Sequence, residues 1–540
     1  MKGNDLVLHA LKGGQCSTIP WVPFVGVHGG HLIGKNANEY LHSADLMVDG
    51  ISKAIELYEP DGIPVCFDLQ IEAEALGCKL GWADENPPAV LSHPLSGLSN
   101  ISSLNPISPD QGRIPVVLKA TRELRKKYPD IALYGLVTGP FTLGLHLLGT
   151  EIFMRMFEDP ASIHELLDFT SGVTRSMSKY LLDAGCDIIA VVDPMTSQIG
   201  PDQFTEFIHK PVKSVFDDIR QQSKYSSFFV CGHAQQNIDV MCKTGPDNIS
   251  IDENIPLDFV RNICQGYGIS FGGNLQLTLV MLMGTPEDCQ RNAVDCMDIA
   301  GNIGFILAPG CDLPMKTPIA NLKAVGSVIR DSYQQDIIRT LEHKPDKTKI
   351  LNLGEYGKTD RVIVDIITLD SESCAPCQYM VEAVKEVAPH FEGLVEWHEH
   401  SIKNLEGVTF MSSLFVKNIP TICIDGKITF VSQIPPRNEL IRAIQSRINE
   451  KLKIRLRVKQ GEILLLGKSS EEIAPLREKT RQAIAELGVT IEVREETDPL
   501  IIQSLGVTQT PALVSVKYKI RSEAGQPGTD VIKEWIKEII

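Results

Sequence analysis

The chain has 540 residues, too many for a single hydrophobic core, and this length predicts roughly two to four domains. Its net charge of −16 argues against nucleic acid as a main partner, because neutralising phosphates requires a basic surface. The 13 cysteines are scattered in a way typical of reduced thiols in the cytoplasm, and no apolar run approaches the roughly 20 residues of a membrane span.

Short apolar runs alternate with helical stretches from about residue 20 onward. The first, at Pro20–Val25, breaks into a glycine loop, and later examples are Ile188–Val192 and Phe305–Ala308. Near-continuous apolar strands separated by helices are typical of parallel strands buried on both faces. About eight such units predict an α/β (β/α)8 TIM barrel over residues 1–335.

Polar residues follow these strands, where the chemistry of a barrel is usually located. They are Asp68, Asp193, Cys231, Asp252, Asn274 and Cys311. We expect Asp193 to be catalytic, and Asp68, Asp252 and Asn274 to bind substrate. For Asp68 and Asp193 a structural role remains open, since an Asp before a helix is often only a cap.

Cys231 and Cys311 are candidate zinc ligands, with His233 two residues after the first cysteine. Two thiolates and an imidazole at strand ends can hold zinc with one position left open for a thiol or water. The alternative is two ordinary buried cysteines and a histidine without a metal.

Several motifs together resemble the uroporphyrinogen decarboxylase superfamily. They are Phe67–Cys78, Asp193-Pro194, Val230-Cys231-Gly232, Gly273-Asn274 and Pro309–Pro314. Over roughly residues 15 to 335 the resemblance favours the methylcobamide:coenzyme M methyltransferase branch. It implies a zinc-dependent enzyme that moves a methyl group from a methyl-corrinoid to a small thiol resembling coenzyme M.

One ligand position departs from the family pattern of His-x-Cys-Gly followed by a distant Cys. Cys231 and Cys311 match the two cysteines, but Phe229 stands where the motif has His. Either His233 replaces that ligand, or His28 or His31 does, or zinc is weakened or lost. We favour His233.

The resemblance leaves a decarboxylase as an alternative. That branch holds its substrate carboxylates with an arginine-rich loop near the N-terminus, and Val27–His31 contains no Arg. The chain also has no Asp-x-His-x-x-Gly motif for a corrinoid, so the methyl-corrinoid must be supplied by a partner protein.

A charged linker at residues 336–358 precedes a domain at residues 359–451. There a strand leads to Cys374-Ala375-Pro376-Cys377 and a helix, and Ile419-Pro420-Thr421 precedes a hairpin. This pattern closely resembles the thioredoxin and glutaredoxin fold. The resemblance implies a redox-active disulfide with Cys374 as nucleophile and Cys377 as resolving thiol, beside a cis Pro420. The pair could instead form half of a metal site, although no second pair follows.

Residues 452–540 repeat the pattern, with Thr510-Pro511 as a second turn of this kind but no cysteine after Cys423. This degenerate thioredoxin-like domain is predicted to dock or to form a homodimer. A barrel without catalysis that presents the redox domain is the remaining alternative. What Cys374 and Cys377 reduce stays open; we hypothesise a thiol of the barrel or the acceptor itself.

Overall fold

The computed structural model describes residues 3–97, 104–341, 361–372, 374–391, 393–458, 461–505, 507–516, 520–524 and 527–539, with residues 351, 353, 356 and 357. It forms two compact units, residues 1–441 and residues 442–540. Within the first unit, residues 3–341 are called the barrel part here and residues 361–441 the CxxC arm.

A curled sheet of seven parallel strands forms the centre of the barrel part. In sheet order, which is also chain order, the strands are β1 (Gly62–Pro64), β4 (Ala132–Thr138), β5 (Ile188–Val192), β6 (Tyr225–Val230), β7 (Asn248–Ile251), β8 (Ser270–Leu275) and β9 (Phe305–Pro309). All seven residues of β4 are buried, as expected for a strand covered on both faces. A separate antiparallel pair, β2 (Leu80–Gly81) and β3 (Ala89–Val90), lies outside this sheet.

Helices connect the strands and pack around the sheet. They are α1 (Asn4–Leu11), α2 (His28–Leu32), α3 (Ala37–Leu41), α4 (Ala44–Tyr58), α5 (Ile71–Ala75), α6 (Ile114–Lys127), α7 (Pro140–Leu148), α8 (Glu151–Glu158), α9 (Pro160–Ala184), α10 (Pro201–Gln203), α11 (His209–Gln221), α12 (Ile238–Lys243), α13 (Leu257–Tyr267), α14 (Pro286–Ala300), α15 (Ile319–Arg330) and α16 (Ser332–Thr340). The ends of α9 follow local chemistry: Asp159 caps its first turn and Gly185 ends it.

The first predicted strand, at Pro20–Val25, is replaced by a short extended segment at Trp21. Its neighbour Val22 donates a backbone hydrogen bond to Leu307 in β9, and Trp21 accepts one from Asp61 just before β1. The segment therefore bridges the two edges of the sheet. It does not continue as a strand because Pro20 and Pro23 have no N–H to donate. The prediction of eight strands is thus corrected to seven within the described residues.

The CxxC arm contains a four-stranded sheet in the order β11-β10-β12-β13. These strands are β10 (Val362–Thr368), β11 (Val395–Ser401), β12 (Thr421–Ile424) and β13 (Lys427–Val431), and the helices are α17 (Ala375–Val387) and α18 (Leu405–Ser413). Helix α19 (Arg437–Val458) begins in the arm and continues into the second unit. β10 runs parallel to β11 and antiparallel to β12. The bond between Ile419 and Pro420 is cis.

The second unit has its own four-stranded sheet with the same pattern of pairing. It contains β14 (Glu462–Leu466), β15 (Val493–Glu496), β16 (Ala512–Val516) and β17 (Ile520–Ala524), with α20 (Ser470–Leu487), α21 (Pro499–Ser504) and α22 (Thr529–Ile539). The bond between Thr510 and Pro511 is cis.

The predicted domain boundaries remain predictions. Helix α16 runs across the proposed boundary at 335/336, and most of the predicted linker, namely residues 342–350, 352, 354, 355 and 358, lies outside the described residues. Among the helices that the structure describes, none has the length and apolar character needed to cross a membrane.

A buried carboxylate ties α5 to the end of β4. Glu72 is 1% exposed, and it accepts hydrogen bonds from the backbone N–H and the hydroxyl of Thr138. Burial raises the pKa of Glu72 to about 7, an effect that these hydrogen bonds only partly oppose.

Replacing Glu72 with Gln should change how stability depends on pH. Because burial raises the pKa of Glu72 in the folded protein, its stabilising contribution is present below about pH 4.5 and is lost as the pH rises toward 7, by roughly 3 kcal/mol. Thermal unfolding from pH 5 to pH 8 should therefore show Glu72→Gln gaining stability relative to wild type as pH rises. Glu56→Gln, on an exposed part of α4, is the control. A difference in Tm between Glu72→Gln and wild type that stays constant over this range would contradict the assignment.

Candidate active site

Two thiols meet at the carboxyl end of the curled sheet. Cys231 directly follows β6 and Cys311 follows β9, and their Sγ atoms are 3.3 Å apart. Since β6 and β9 are separated by two strands, they would lie roughly 14 Å apart in a flat sheet. The curl of the sheet therefore creates this pair, as the sequence predicted from the two strand ends.

The surroundings of the pair keep Cys231 protonated in the absence of a cation. The hydrogen bond with Cys311 and then burial raise the pKa of the Cys231 thiol, and the charges of Asp252 and Glu253 add to this. A positive charge bound between the two sulfurs would reverse the effect, because it favours the thiolate.

Two consecutive carboxylates follow β7 beside this pair. Asp252 accepts a hydrogen bond of 2.7 Å from the backbone N–H of Gly232 and so positions the loop after Cys231. Burial raises the pKa of Asp252 to about 8, with the neighbouring charge of Glu253 as the second cause.

Sequence reasoning missed Glu253. Its Oε1 accepts from the N–H of Leu277 at 2.9 Å, and a Cβ on Gly310 would lie 2.2 Å from its Oε2. Gly310 thus lets the carboxylate approach the backbone next to Cys311. The available signal was the Asp-Glu doublet directly after a buried strand.

The histidines do not complete a metal site in this structure. His233 lines the same cavity as the cysteines but is exposed. His28 is buried, and its two ring nitrogens contact the carbonyl of Met315 and the hydroxyl of Tyr58. His31 is exposed. Within the described ranges, no three His, Cys, Asp or Glu side chains are grouped as a metal site requires.

Phe229, at the family's histidine position, lies below the two thiols in the interior of the sheet. It is 1% exposed, and its ring centroid lies 5.3 Å from that of Phe24 and 5.9 Å from that of Phe67. An aromatic cluster therefore fills the space where the family pattern has a ligand.

Three predicted site residues lie outside the cavity. Asp68 is buried and paired with Arg113, and Asn274 donates to the carbonyl oxygens of Asp252 and Ile255. Asp193 accepts hydrogen bonds from the backbone and the hydroxyl of Thr142 in α7. Their present contacts brace strand ends and a helix start. Burial raises the pKa of Asp193 to about 6.

The CxxC arm brings a second pair of cysteines to the same place. Cys374 is the N-cap residue of α17, and it forms a disulfide with Cys377. Cys377 is fully buried and Cys374 is half-buried. The cis Pro420 also contributes to the wall of this cavity.

All four cysteines line one cavity of about 1200 Å³, including its opening. From the barrel part its wall includes Gln70, Cys231, His233, Asp252, Glu253, Cys311 and Asp312, and from the CxxC arm it includes Cys374, Cys377, Lys403 and Pro420. Seven of the ten predicted site residues are therefore brought together, from both the barrel part and the CxxC arm.

Hydrogen bonds hold the CxxC arm over the end of the sheet. The side chain of Gln198 donates to the carbonyl of Ser432 at 2.9 Å and accepts from the N–H of Ile434 at 2.8 Å. In α17, Gln378 donates to the carbonyl of Val90 at 2.6 Å.

Two further contacts involve side chains on both sides. The hydroxyl of Tyr379 lies 3.1 Å from Nδ1 of His146, and the Nζ of Lys403 donates to Asn86 at 2.7 Å. Tyr379 and His146 are fully buried. The face of the arm that carries the disulfide is thus directed into the barrel part.

The family model for uroporphyrinogen decarboxylase (URO-D) matches residues 2–332. The methylcobamide:CoM methyltransferase MtbA of Methanosarcina acetivorans is 28% identical over 267 residues, covering 49% of this chain and 77% of that protein. MtaA of Methanosarcina barkeri, with the same activity in its name, is 27% identical over 290 residues, covering 52% of this chain and 83% of the other.

A more distant relative is the uroporphyrinogen decarboxylase of a Wolbachia strain, 24% identical over 303 residues and covering 54% of this chain and 83% of that protein. Among solved structures, a methyltransferase from Methanosarcina mazei matches with a TM-score of 0.56 and 23% identity, covering 60% of this chain and 96% of that one. This structural match supports the fold alone.

Gln198→Ala should loosen the CxxC arm. The substitution removes one donor and one acceptor and leaves the backbone groups of Ser432 and Ile434 without these partners, at a cost of about 1–3 kcal/mol each where buried. Hydrogen exchange at Ile434 should become faster, whereas Gln222→Ala on the surface should not change it. Unaltered exchange at Ile434 in Gln198→Ala would mean that these bonds do not hold the arm.

Proposed function

The chain belongs to the uroporphyrinogen decarboxylase (URO-D) family, and from this premise we propose that it transfers a methyl group from a methyl-corrinoid protein to a small thiol. The observation that carries the proposal is the Cys231–Cys311 pair, with Sγ atoms 3.3 Å apart in the cavity at the carboxyl end of the sheet. Relatives named methylcobamide:CoM methyltransferases support the corrinoid donor.

Two side chains at this site are suitable zinc ligands. Cys231 and Cys311 supply soft sulfur ligands at a spacing that one ion can bridge, and the half-buried Glu253 lies beside them. His233 would have to turn inward from its exposed position to bind, so Glu253 and His233 are the two candidates for a third ligand. When bound there, zinc would lower the pKa of an acceptor thiol.

The protein's own residues position and deprotonate the acceptor. With His233 as the third ligand, we assign Glu253 to receive the thiol proton at Oε2, since its Oε1 already accepts a hydrogen bond from the N–H of Leu277. A methyl-corrinoid supplied by a partner protein would provide the methyl group, which the deprotonated acceptor sulfur would take in forming an S–C bond while the electron pair of the broken bond stayed with the corrinoid. Asp252 keeps the loop after Cys231 in place through Gly232.

A decarboxylase is less well supported. A porphyrinogen with several carboxylates needs matching cations, because a buried and unpaired charge is costly. Among the described residues that line the cavity there is no arginine, and Lys403 is the one lysine.

The CxxC arm is proposed to be a thioredoxin-like domain with dithiol chemistry. A strand followed by a helix that starts at the CxxC pair, together with a cis proline beside that pair, supports this. Residues 452–540 contain no cysteine and cannot carry out dithiol chemistry. We therefore propose that they form a related domain used for docking or dimerisation. A barrel without catalysis that merely presents the arm is disfavoured, since the CxxC pair lines the same cavity as Cys231 and Cys311.

Cys231→Ala and Cys311→Ala should each lower methyl transfer from methylcobalamin to a thiol at least about a hundredfold, because each removes a ligand of the zinc that would activate the acceptor. The corrinoid spectrum, followed with a panel of small thiols, measures the rate and identifies the acceptor.

Cys242→Ala is the matched control for these two variants, because Cys242 is a buried cysteine outside the cavity. It should keep the wild-type rate. Full activity in Cys231→Ala or Cys311→Ala would exclude the pair as the reaction centre.

A further inference from the structure

We propose that the four cysteines of the shared cavity exchange a disulfide within one chain. In this reaction the reduced Cys374–Cys377 pair of the CxxC arm reduces a Cys231–Cys311 disulfide of the barrel part. The exchange itself requires neither methyl transfer nor a bound metal. Only its consequence for activity rests on the proposed function.

The orientation of the CxxC arm limits which sulfur atoms its cysteines can react with. Cys377 is fully buried and Cys374 is half-buried, and both line the cavity at the end of the sheet. Thiol–disulfide exchange requires direct attack of one sulfur on another, so the partner must enter this cavity or already lie in it. A thiol of the barrel part satisfies that condition in the structure as it stands.

Only one pair of barrel cysteines meets the condition among the described residues. Cys231 and Cys311 line the cavity and are half-buried. The other free cysteines are all buried and do not contribute to its wall; they are Cys16, Cys66, Cys78, Cys186, Cys242, Cys264, Cys289, Cys296 and Cys423.

The geometry of the barrel pair allows it to form a disulfide. Its sulfurs are 3.3 Å apart, so a movement of roughly 1.3 Å would bring them to the bonding distance of about 2.05 Å. Cys242 and Cys264 form a comparable pair, with sulfurs 3.8 Å apart, but lie outside the cavity. They therefore provide an internal comparison.

The exchange balances without any additional reagent. The thiolate of Cys374 attacks one sulfur of the Cys231–Cys311 disulfide, which forms a mixed disulfide and releases the other barrel thiolate. Cys377 then attacks the sulfur of Cys374 and releases the second barrel thiolate. Two electrons and two protons pass from the arm to the barrel. The structure corresponds to the end of this sequence, with the arm disulfide closed and the barrel thiols free.

Oxidation of the barrel pair would remove both sulfurs from the reaction centre, because a disulfide neither binds zinc nor activates a thiol. The dithiol of the arm returns both sulfurs to the thiol form. Because the arm belongs to the same chain, its effective concentration at the barrel pair is on the order of millimolar. The CxxC arm therefore acts as an internal repair device for the centre that it covers.

The test uses the full chain, reduced, freed of metal with a chelator and then oxidised with one equivalent of diamide. After acid quenching and alkylation, peptide mass spectrometry locates the disulfide. In wild type it should lie at Cys374–Cys377. In Cys374→Ser it should remain at Cys231–Cys311, with at least roughly a tenfold increase over wild type. Equal amounts of the barrel disulfide in both proteins would overturn the proposal.

A trapping variant provides the second measurement. Cys377→Ser removes the resolving thiol, so Cys374 should be captured in a mixed disulfide with Cys231 or Cys311, with a yield independent of protein concentration. Adding Cys242→Ser and Cys264→Ser to this variant should leave the product unchanged, whereas adding Cys231→Ser and Cys311→Ser should abolish it. A Cys374 link only between two chains would assign the arm to an external partner. Neither readout depends on methyl transfer, so failure of one proposal can be told from failure of the other.

Discussion

Parallel pairing of curled strands is the constraint on which the site depends. Because all seven strands of the barrel sheet run the same way, their carboxyl ends form one rim, and the curl brings the ends of β6 and β9 together. Cys231, Asp252, Glu253 and Cys311 all lie within two residues of the ends of three of these strands. A flat sheet of the same sequence would keep the two thiols roughly 14 Å apart and would have no reaction centre.

The CxxC arm covers part of this rim and forms a cavity with it. Polar groups on both sides are matched by hydrogen bonds, as with Gln198 and the backbone of Ser432 and Ile434, so the buried contact does not leave them unpaired. A corrinoid is large, and a donor protein must reach the same cavity. The proposed methyl transfer therefore requires the arm to move away from the end of the sheet, whereas the proposed disulfide exchange requires the arm to remain docked there.

The sequence predicts those parts of the site that depend on short motifs and on the order of strands along the chain. Strand ends placed Cys231 and Cys311 together, and the CxxC pair with its cis Pro420 was predicted from short motifs. Features that depend on contacts between distant parts of the chain could not be predicted from the sequence. Docking of the arm depends on residues such as Gln198, which no local motif identifies. His233 is exposed, although its spacing from Cys231 suggests a metal ligand. The sheet has seven strands because Pro20 and Pro23 lack the N–H groups that an eighth strand would need for pairing.

The central claim is that Cys231 and Cys311 bind one zinc ion as thiolates. Zinc K-edge X-ray absorption on the chain purified in the presence of zinc tests it most directly, because it identifies the atoms bound to the metal. The account predicts one zinc per chain with about two sulfur neighbours at roughly 2.3 Å and the remainder nitrogen or oxygen. Zinc surrounded only by nitrogen and oxygen, or no zinc retained at all, would contradict it.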